Sequence, residues 1–207
     1  APALAAEGNI LRIARSSDGL RFTPDPEPFS EGGSSPDVER VTDSELIAVY
    51  DAPAKVGKFP QTELTLTRSK DDGRTWSKPE RVDLDDSTLA RRWARHGDLV
   101  VEPNGTLRLY FAAIPPRTSQ SRSLWPVVIR SAHARDGARL KLDRPVAMRC
   151  QGIVDPVPCL VRDRERIVLL LSDNIPATNS AGEKRTYTLR RAVSRKNDRF
   201  VATAPVE

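Results

Sequence analysis

Ser69-Lys70-Asp71-Asp72-Gly73-Arg74-Thr75-Trp76 is the stretch on which the rest of the chain aligns. It reads S-x-D-x-G-x-T-W, and each fixed position has a physical reason. An aspartate in a tight turn accepts the backbone N–H groups that the reversal leaves unpaired. Glycine supplies a positive φ without steric cost. A tryptophan beside the turn has the area to pack under it and an N–H that needs an acceptor. Glu63–Arg68 alternates in character before the turn, and Trp76–Leu84 reads as the returning strand. The stretch is thus expected to join two adjacent antiparallel strands.

Working outward, the same order recurs. Asp37–Val41 reads as a strand, Glu45–Tyr50 as a second, and Pro53, Gly57 and Pro60 mark a loop before Glu63. The next unit runs through Asp98–Glu102, the hairpin signal Pro103-Asn104-Gly105, Thr106–Ala112, a loop over Pro115–Pro126, Val127–Ala134, a weaker Asp136-Gly137 turn and Arg139–Asp143. A third starts at Asp155-Pro156-Val157. It continues through Arg166–Leu171, a loop over Asn174–Arg185, Thr186–Ser194, the turn Asn197-Asp198 and Phe200–Ala202. The N-terminus shows only the back half of such a unit: strand Ile10–Arg15, Ser17-Asp18-Gly19 and strand Leu20–Thr23. The repeat units are 9–31, 36–84, 97–145 and 154–204, expected to form a single domain over 1–207. Four-stranded units of about 40–50 residues plus loops are the pattern of propeller blades.

The stretch 69–76 resembles the Asp-box (BNR repeat) of sialidases and related secreted, glycosyl-hydrolase-like β-propellers. The resemblance implies an all-β propeller of four-stranded antiparallel blades, four- or five-bladed, with three full blades and a partial one in this chain. A β-sandwich built from the same hairpins is the alternative. The resemblance does not extend to sialidase chemistry. No F-R-I-P motif occurs, since Leu11-Arg12-Ile13-Ala14 precedes a turn remnant, and no arginine triad or Tyr–Glu pair can be matched.

Composition agrees with many short strands. The chain has 207 residues, 5% aromatic and 29% charged, with 17 prolines along its length. The formal charge of +5 suits an anionic glycan, nucleic acid or simply a soluble surface. Nucleic acid ranks last, because no recognition motif accompanies the charge. Apolar runs such as Ile167–Leu171 fall far short of the ~18 residues of a membrane span. The start Ala1-Pro2-Ala3-Leu4-Ala5-Ala6 resembles the mature side of a cleavage site or a tag remnant, and a secreted or periplasmic location is expected. Cys150 and Cys159 are compatible with a disulfide or with two buried thiols. No paired C-x-x-C or H-x-x-x-H spacing suggests a metal, and no P-loop, dinucleotide glycine pattern or G-x-S-x-G elbow occurs, so no cofactor is expected.

In propellers of this kind the first strand of each blade lines the channel, and the face where it begins holds the ligand. By that resemblance the site is built from residues near 31–37, 53–61, 85–98, 115–126, 149–155 and 174–185. Asp37, Asp98 and Asp155 begin inner strands at the repeat interval and are the candidate catalytic carboxylates. In an inverting hydrolase one carboxylate activates water, a second acid protonates the leaving oxygen, and a third sets orientation and pKa. The alternative is that each caps an inter-blade turn. No glutamate matches the expected general acid: Glu102 lies at the far end of its strand, and Glu31 and Glu183 sit in loops.

The same face is basic. Arg91, Arg92, Trp93, Arg95 and His96 fall in one loop, Arg117, Arg122 and Trp125 in another, with Lys55, Lys58, Lys184 and Arg185 beyond. Arginine forks suit carboxylate or phosphate, and tryptophan offers a flat face to a sugar. Arg92, Trp93, Arg95, His96, Arg122 and Trp125 are therefore the candidate substrate-binding residues. An Arg-rich solvated surface, with Trp93 and Trp125 packed between blades, is the plainer reading. His96, beside Asp98, also qualifies as an acid or base near neutral pH, whereas His133 reads as structural. The expected partner is a carbohydrate, cleaved by a glycoside hydrolase or held by a non-catalytic glycan- or protein-binding propeller.

Overall fold

A computed structural model describes residues 10–56, 59–84, 93–114, 126–134, 140–143, 148–151, 156–161, 166–176, 185–195 and 199–205. Among the described residues the secondary structure is all β. The first blade pairs β3 (Ser34–Arg40), β4 (Leu46–Val56), β5 (Phe59–Ser69) and β6 (Glu80–Arg81) in chain order, all antiparallel. The second pairs β7 (Trp93–Val101), β8 (Leu107–Ile114), β9 (Pro126–Ala134) and β10 (Lys141–Leu142), with β11 (Met148–Gln151) also on β9. The third pairs β12 (Pro156–Val161), β13 (Arg166–Pro176), β14 (Arg185–Arg195) and β15 (Arg199–Pro205). Strand β7 lies beside both β3 and β12, so the inner strands stand next to one another. The fold is a β-propeller of four-stranded blades.

Three elements differ from the sequence expectation. The loop predicted over 53–61 is instead the end of a long hairpin, in which Pro53 pairs with Thr62 and Lys55 with Pro60. Pairing between β3 and β4 stops at Ser34–Asp51, so beyond that point β4 is an edge and tolerates a residue without an N–H. Hairpin β13–β14 likewise runs on to Pro176–Arg185, where a loop from Asn174 was expected. The fourth strand of blade one shrinks from 76–84 to Glu80–Arg81. Trp76 is tied to the turn and Pro79 donates nothing, so only Ser77 and the residues from Glu80 reach β5.

The N-terminal unit is thinner than predicted. Its strands reduce to β1 (Ala14–Arg15) and β2 (Thr23–Pro24), plus a bridge from Leu11 to Ser30. Pro24, Pro26 and Pro28 remove backbone donors here, and the segment is held by blade one instead. Phe29 packs edge-on against Tyr50 at 5.6 Å and Trp76 at 5.2 Å, and Arg15 Nη2 donates to the Gly73 carbonyl at 2.6 Å.

Among the residues whose burial is described, the buried apolar cluster lies between blades one and two. Ile47, Val49 and Leu64 meet Leu99, Leu107, Leu109 and Phe111, all buried. Strand β4 is covered on both sides, so Ile47, Ala48, Val49, Tyr50 and Asp51 are buried in succession. Gly97 packs directly against side chains of both blades. A Cβ there would sit 2.8 Å from Leu64 Cδ2 and 3.1 Å from Leu109 Cδ1, so any larger residue would force Leu64 to shift.

The turn 69–76 closes on its own side chains. Ser69 Oγ donates to Asp71 Oδ1 at 2.7 Å and accepts the Gly73 N–H at 2.8 Å. Asp71 accepts the Thr75 N–H at 2.8 Å and its hydroxyl at 2.6 Å, and Trp76 Nε1 donates to the Gly73 carbonyl at 3.2 Å. Asp72 and Gly73 carry φ of 59° and 78°. A shorter version repeats at Ser16–Arg21, where Asp18 accepts the Leu20 and Arg21 N–H groups.

The hydroxyl and N–H of Thr75, with the Ser69 hydroxyl, hold the Asp71 carboxyl down at about 2 from the usual 3.8. A depressed folded-state value means that the folded chain favours the ionised form. The resulting stability is present above 3.8 and lost as pH falls through about 2. The melting temperature of Asp71→Asn should therefore lie below wild type at pH 6 and converge on it towards pH 2. A gap that stays constant across that range would contradict this role.

Candidate functional site

The site begins with a backbone irregularity repeated in two blades. The β3–β4 register shifts between Ser34 and Asp37, and the β7–β8 register shifts between Arg95 and Asp98. Such bulges re-aim side chains and recur beside functional sites. Ser35 and His96 both take positive φ, 50° and 53°, a conformation that costs roughly 1–3 kcal/mol per non-glycine residue. These two bulge residues meet across the blade boundary, with Ser35 Oγ 3.0 Å from His96 Nδ1.

Beneath them lies a carboxylate that the sequence reading passed over. Asp51 on β4 is fully buried, and its two oxygens accept the His96 backbone N–H at 3.1 and 3.3 Å. Arg95 Nε stands 3.7 Å from Asp51 Oδ2, and His96 Nδ1 3.8 Å from it. The negative charge of Asp51 thus lies under a guanidinium and an imidazole. Ser, His and Asp are all present, but Ser35 and Asp51 both approach Nδ1. A nucleophilic triad needs its serine and aspartate on opposite ring nitrogens. The arrangement is an anchor for His96.

Asp37 reaches into the next blade. Its Oδ2 accepts the Leu99 N–H at 2.7 Å, and Glu39 Oε1 accepts the Val101 N–H at 3.4 Å. Two carboxylates from β3 thereby cover open-edge donors of β7. Burial pushes the Asp37 carboxyl up, and the Leu99 N–H pulls part of that back. Burial also raises Glu39; the Val101 N–H opposes this and the nearby charge of Asp37 adds to it.

Of the residues singled out in the sequence, Asp37, Arg95, His96 and Asp98 come together on adjacent strands at this bulge pair. Trp93 opens β7. Asp155, Arg92, Arg122 and Trp125 lie outside the described residues, and the side chains of Cys150 and Cys159 do too. Glu31 is exposed on the segment leading into β3. Glu102 lies at the opposite end of β7, where Arg108 Nε donates to it at 2.6 Å. The same network continues from Arg108 to Asp143, which also takes the Ser131 hydroxyl and contacts His133 Nδ1, each at 2.6 Å. Among the described residues no cluster of His, Cys, Asp and Glu has the makings of a metal site, and no helix is long and apolar enough to cross a membrane.

No family model matches the sequence, and no curated protein sequence matches it. Solved structures do match the fold. The Hadza microbial sialidase Hz136 superimposes with a TM-score of 0.63 at 17% identity, over 93% of this chain and 39% of that one. A family 117 glycoside hydrolase of the marine bacterium Zobellia galactanivorans gives 0.61 at 13%, over 92% and 54%. The α-L-arabinanase of Penicillium chrysogenum gives 0.55 at 20%, over 84% and 49%. The likeness is one of fold: this chain shares the β-propeller architecture of these proteins. It spans about half their length or less.

Proposed function

We propose that this chain is a sialidase-like propeller carrying Asp-box turns, a single secreted or periplasmic domain that acts on a carbohydrate at its channel mouth. The observation that carries the reading is the meeting of Arg95, His96, Asp37 and Asp98 at paired inner-strand bulges, on a fold whose solved examples include several glycoside hydrolases. Asp37, Asp98 and Asp155 supply the carboxylates for glycosidic bond cleavage. Arg92, Trp93, Arg95, His96, Arg122 and Trp125 hold the sugar, and the arginines favour an acidic one. Hydrolysis requires two carboxyl groups about 5–9.5 Å apart across the sugar, and a binder has no such constraint.

The test is turnover on fluorogenic sialosides, arabinosides, xylosides, fructosides and uronides, with Asp98→Asn and Asp155→Asn in parallel. The hydrolase reading expects one sugar to be cleaved and each substitution to reduce the rate by about 10²–10⁴-fold with folding intact. A second reading, a glycan- or protein-binding propeller without turnover, is favoured because Glu39, the inner-strand glutamate beside Asp37, is engaged by the Val101 N–H of the next blade. A silent panel would support that second reading against hydrolysis.

A further inference from the structure

Asp51 belongs to both bulges at once. On the blade-one side its backbone pairs with Ser34, at the point where the β3–β4 register slips. On the blade-two side both carboxylate oxygens accept the N–H of His96, inside the β7–β8 slip. Gly33 lies close over its backbone: a Cβ there would stand 3.1 Å from the Asp51 carbonyl oxygen and 3.0 Å from Tyr50 Cδ2. The carboxylate is fully buried, and a buried charge acts on its neighbours with little screening by salt.

Arg95 is the cation that feels this charge. Its Nε is buried and, among the described residues, donates to no acceptor. It stands 3.7 Å from Asp51 Oδ2, too far for a hydrogen bond, while a third of the side chain is exposed. A buried donor without an acceptor is uncommon in a folded chain and calls for a reason. Two more unfavourable features lie at the same spot, the positive φ of the adjoining His96 and of Ser35, which touches His96. Folded chains keep such costs where function uses them. The pair therefore fixes the guanidinium by charge and leaves its N–H groups to another acceptor. A carboxylate on a sugar is an acceptor that matches the planar fork.

We propose that Asp51 is a positioning residue of the sugar site: it holds Arg95 by charge, so that the guanidinium fork faces an acidic sugar instead of turning into solvent. The ligand half of this assignment rests on the carbohydrate reading above, and Asp37, Asp98 and Asp155 keep their roles in it. Asp51 itself touches no ligand and acts through Arg95.

Asp51→Asn keeps the size of the side chain and an oxygen for the His96 N–H but removes the charge. Wild type, Asp51→Asn, Arg95→Ala and the double variant of the full chain are titrated on a glycan array carrying sialylated, uronate-terminated and uncharged glycans. Asp51→Asn should weaken binding of the acidic glycans at least about tenfold. In the Arg95→Ala background it should change binding by less than about twofold, because a residue acting through another adds nothing once that other is gone. A merely structural Asp51 would weaken binding by the same factor in both backgrounds, and that result would overturn the assignment. A second measurement needs no ligand. The Arg95 Nε–H, identified in proton–nitrogen correlation spectra by its loss in Arg95→Lys, should exchange with solvent at least about tenfold faster in Asp51→Asn than in wild type. Equal exchange in the two would also overturn the assignment. Wild type alone supplies a check that no misfolded variant can spoil: its Arg95 Nε–H exchange should not change with added salt, and a marked acceleration would contradict a buried pair. If exchange responds as expected while wild type binds no glycan, the carbohydrate reading fails, and with it only the ligand half of the assignment.

Discussion

Replacing Asp51 with alanine is expected to destabilise the chain by about 3 kcal/mol, the lower end of the range for breaking a buried charged pair. The carboxylate is fully buried, so water cannot take over its role. Its loss leaves the His96 backbone N–H without its acceptor and removes the counter-charge from Arg95. Arg95 is 33% exposed and can turn its charge towards solvent, which is why the upper end of the range is not expected. His96 holds a positive φ, a costly conformation for a non-glycine residue, so removing its anchor should also release the bulge. Asp51→Asn keeps an oxygen for the N–H and should cost less. Urea unfolding monitored by tryptophan fluorescence measures both, and a loss below about 1 kcal/mol for the alanine variant would show that Asp51 does not hold the site together.

Phe111→Ala should cost about 3–5 kcal/mol and lower the melting temperature by about 6–20 °C. The ring is completely buried in the cluster shared by blades one and two, where Ile47, Val49 and Leu64 face Leu107 and Leu109. Truncation removes apolar area from the boundary that also positions Ser35 against His96. Native stabilities are only about 5–15 kcal/mol, so this one change removes a large fraction of the total. Phe111→Leu fills most of the gap and should recover much of the loss. Differential scanning calorimetry decides the matter: a shift under about 3 °C for the alanine variant would place the main core elsewhere.

The blade pattern was legible because its signals are local. Alternation in Glu63–Arg68, the Asn104-Gly105 turn and the S-x-D-x-G-x-T-W stretch each depend on a few adjacent residues, and β5, the β7–β8 turn and the 69–76 turn follow them. Strand ends were less legible. Whether Pro53 breaks a strand depends on whether a partner lies alongside, and β3 simply stops short of it. The short β6 was hidden because Trp76 serves the turn before it can serve a strand.

The site was legible in part. Spacing identified Asp37 and Asp98, and the Arg-Trp-Ala-Arg-His run marked Arg95 and His96. Nothing local marks Asp51, an acid at the end of the apolar run Leu46–Tyr50, as a buried anchor. Its role comes from His96, 45 positions away on another blade. The bulges are equally invisible in composition, since nothing in the sequence around Ser35 and His96 announces their positive φ.

The most direct measurement of the central claim is binding of the wild-type chain to a glycan array, with Trp93→Ala and Arg95→Ala as controls. A carbohydrate site at the channel mouth predicts saturable binding to a restricted set of glycans, acidic ones foremost, and a loss of at least about tenfold in both variants. A folded wild-type chain that binds no glycan, or whose binding is untouched by both substitutions, would contradict it.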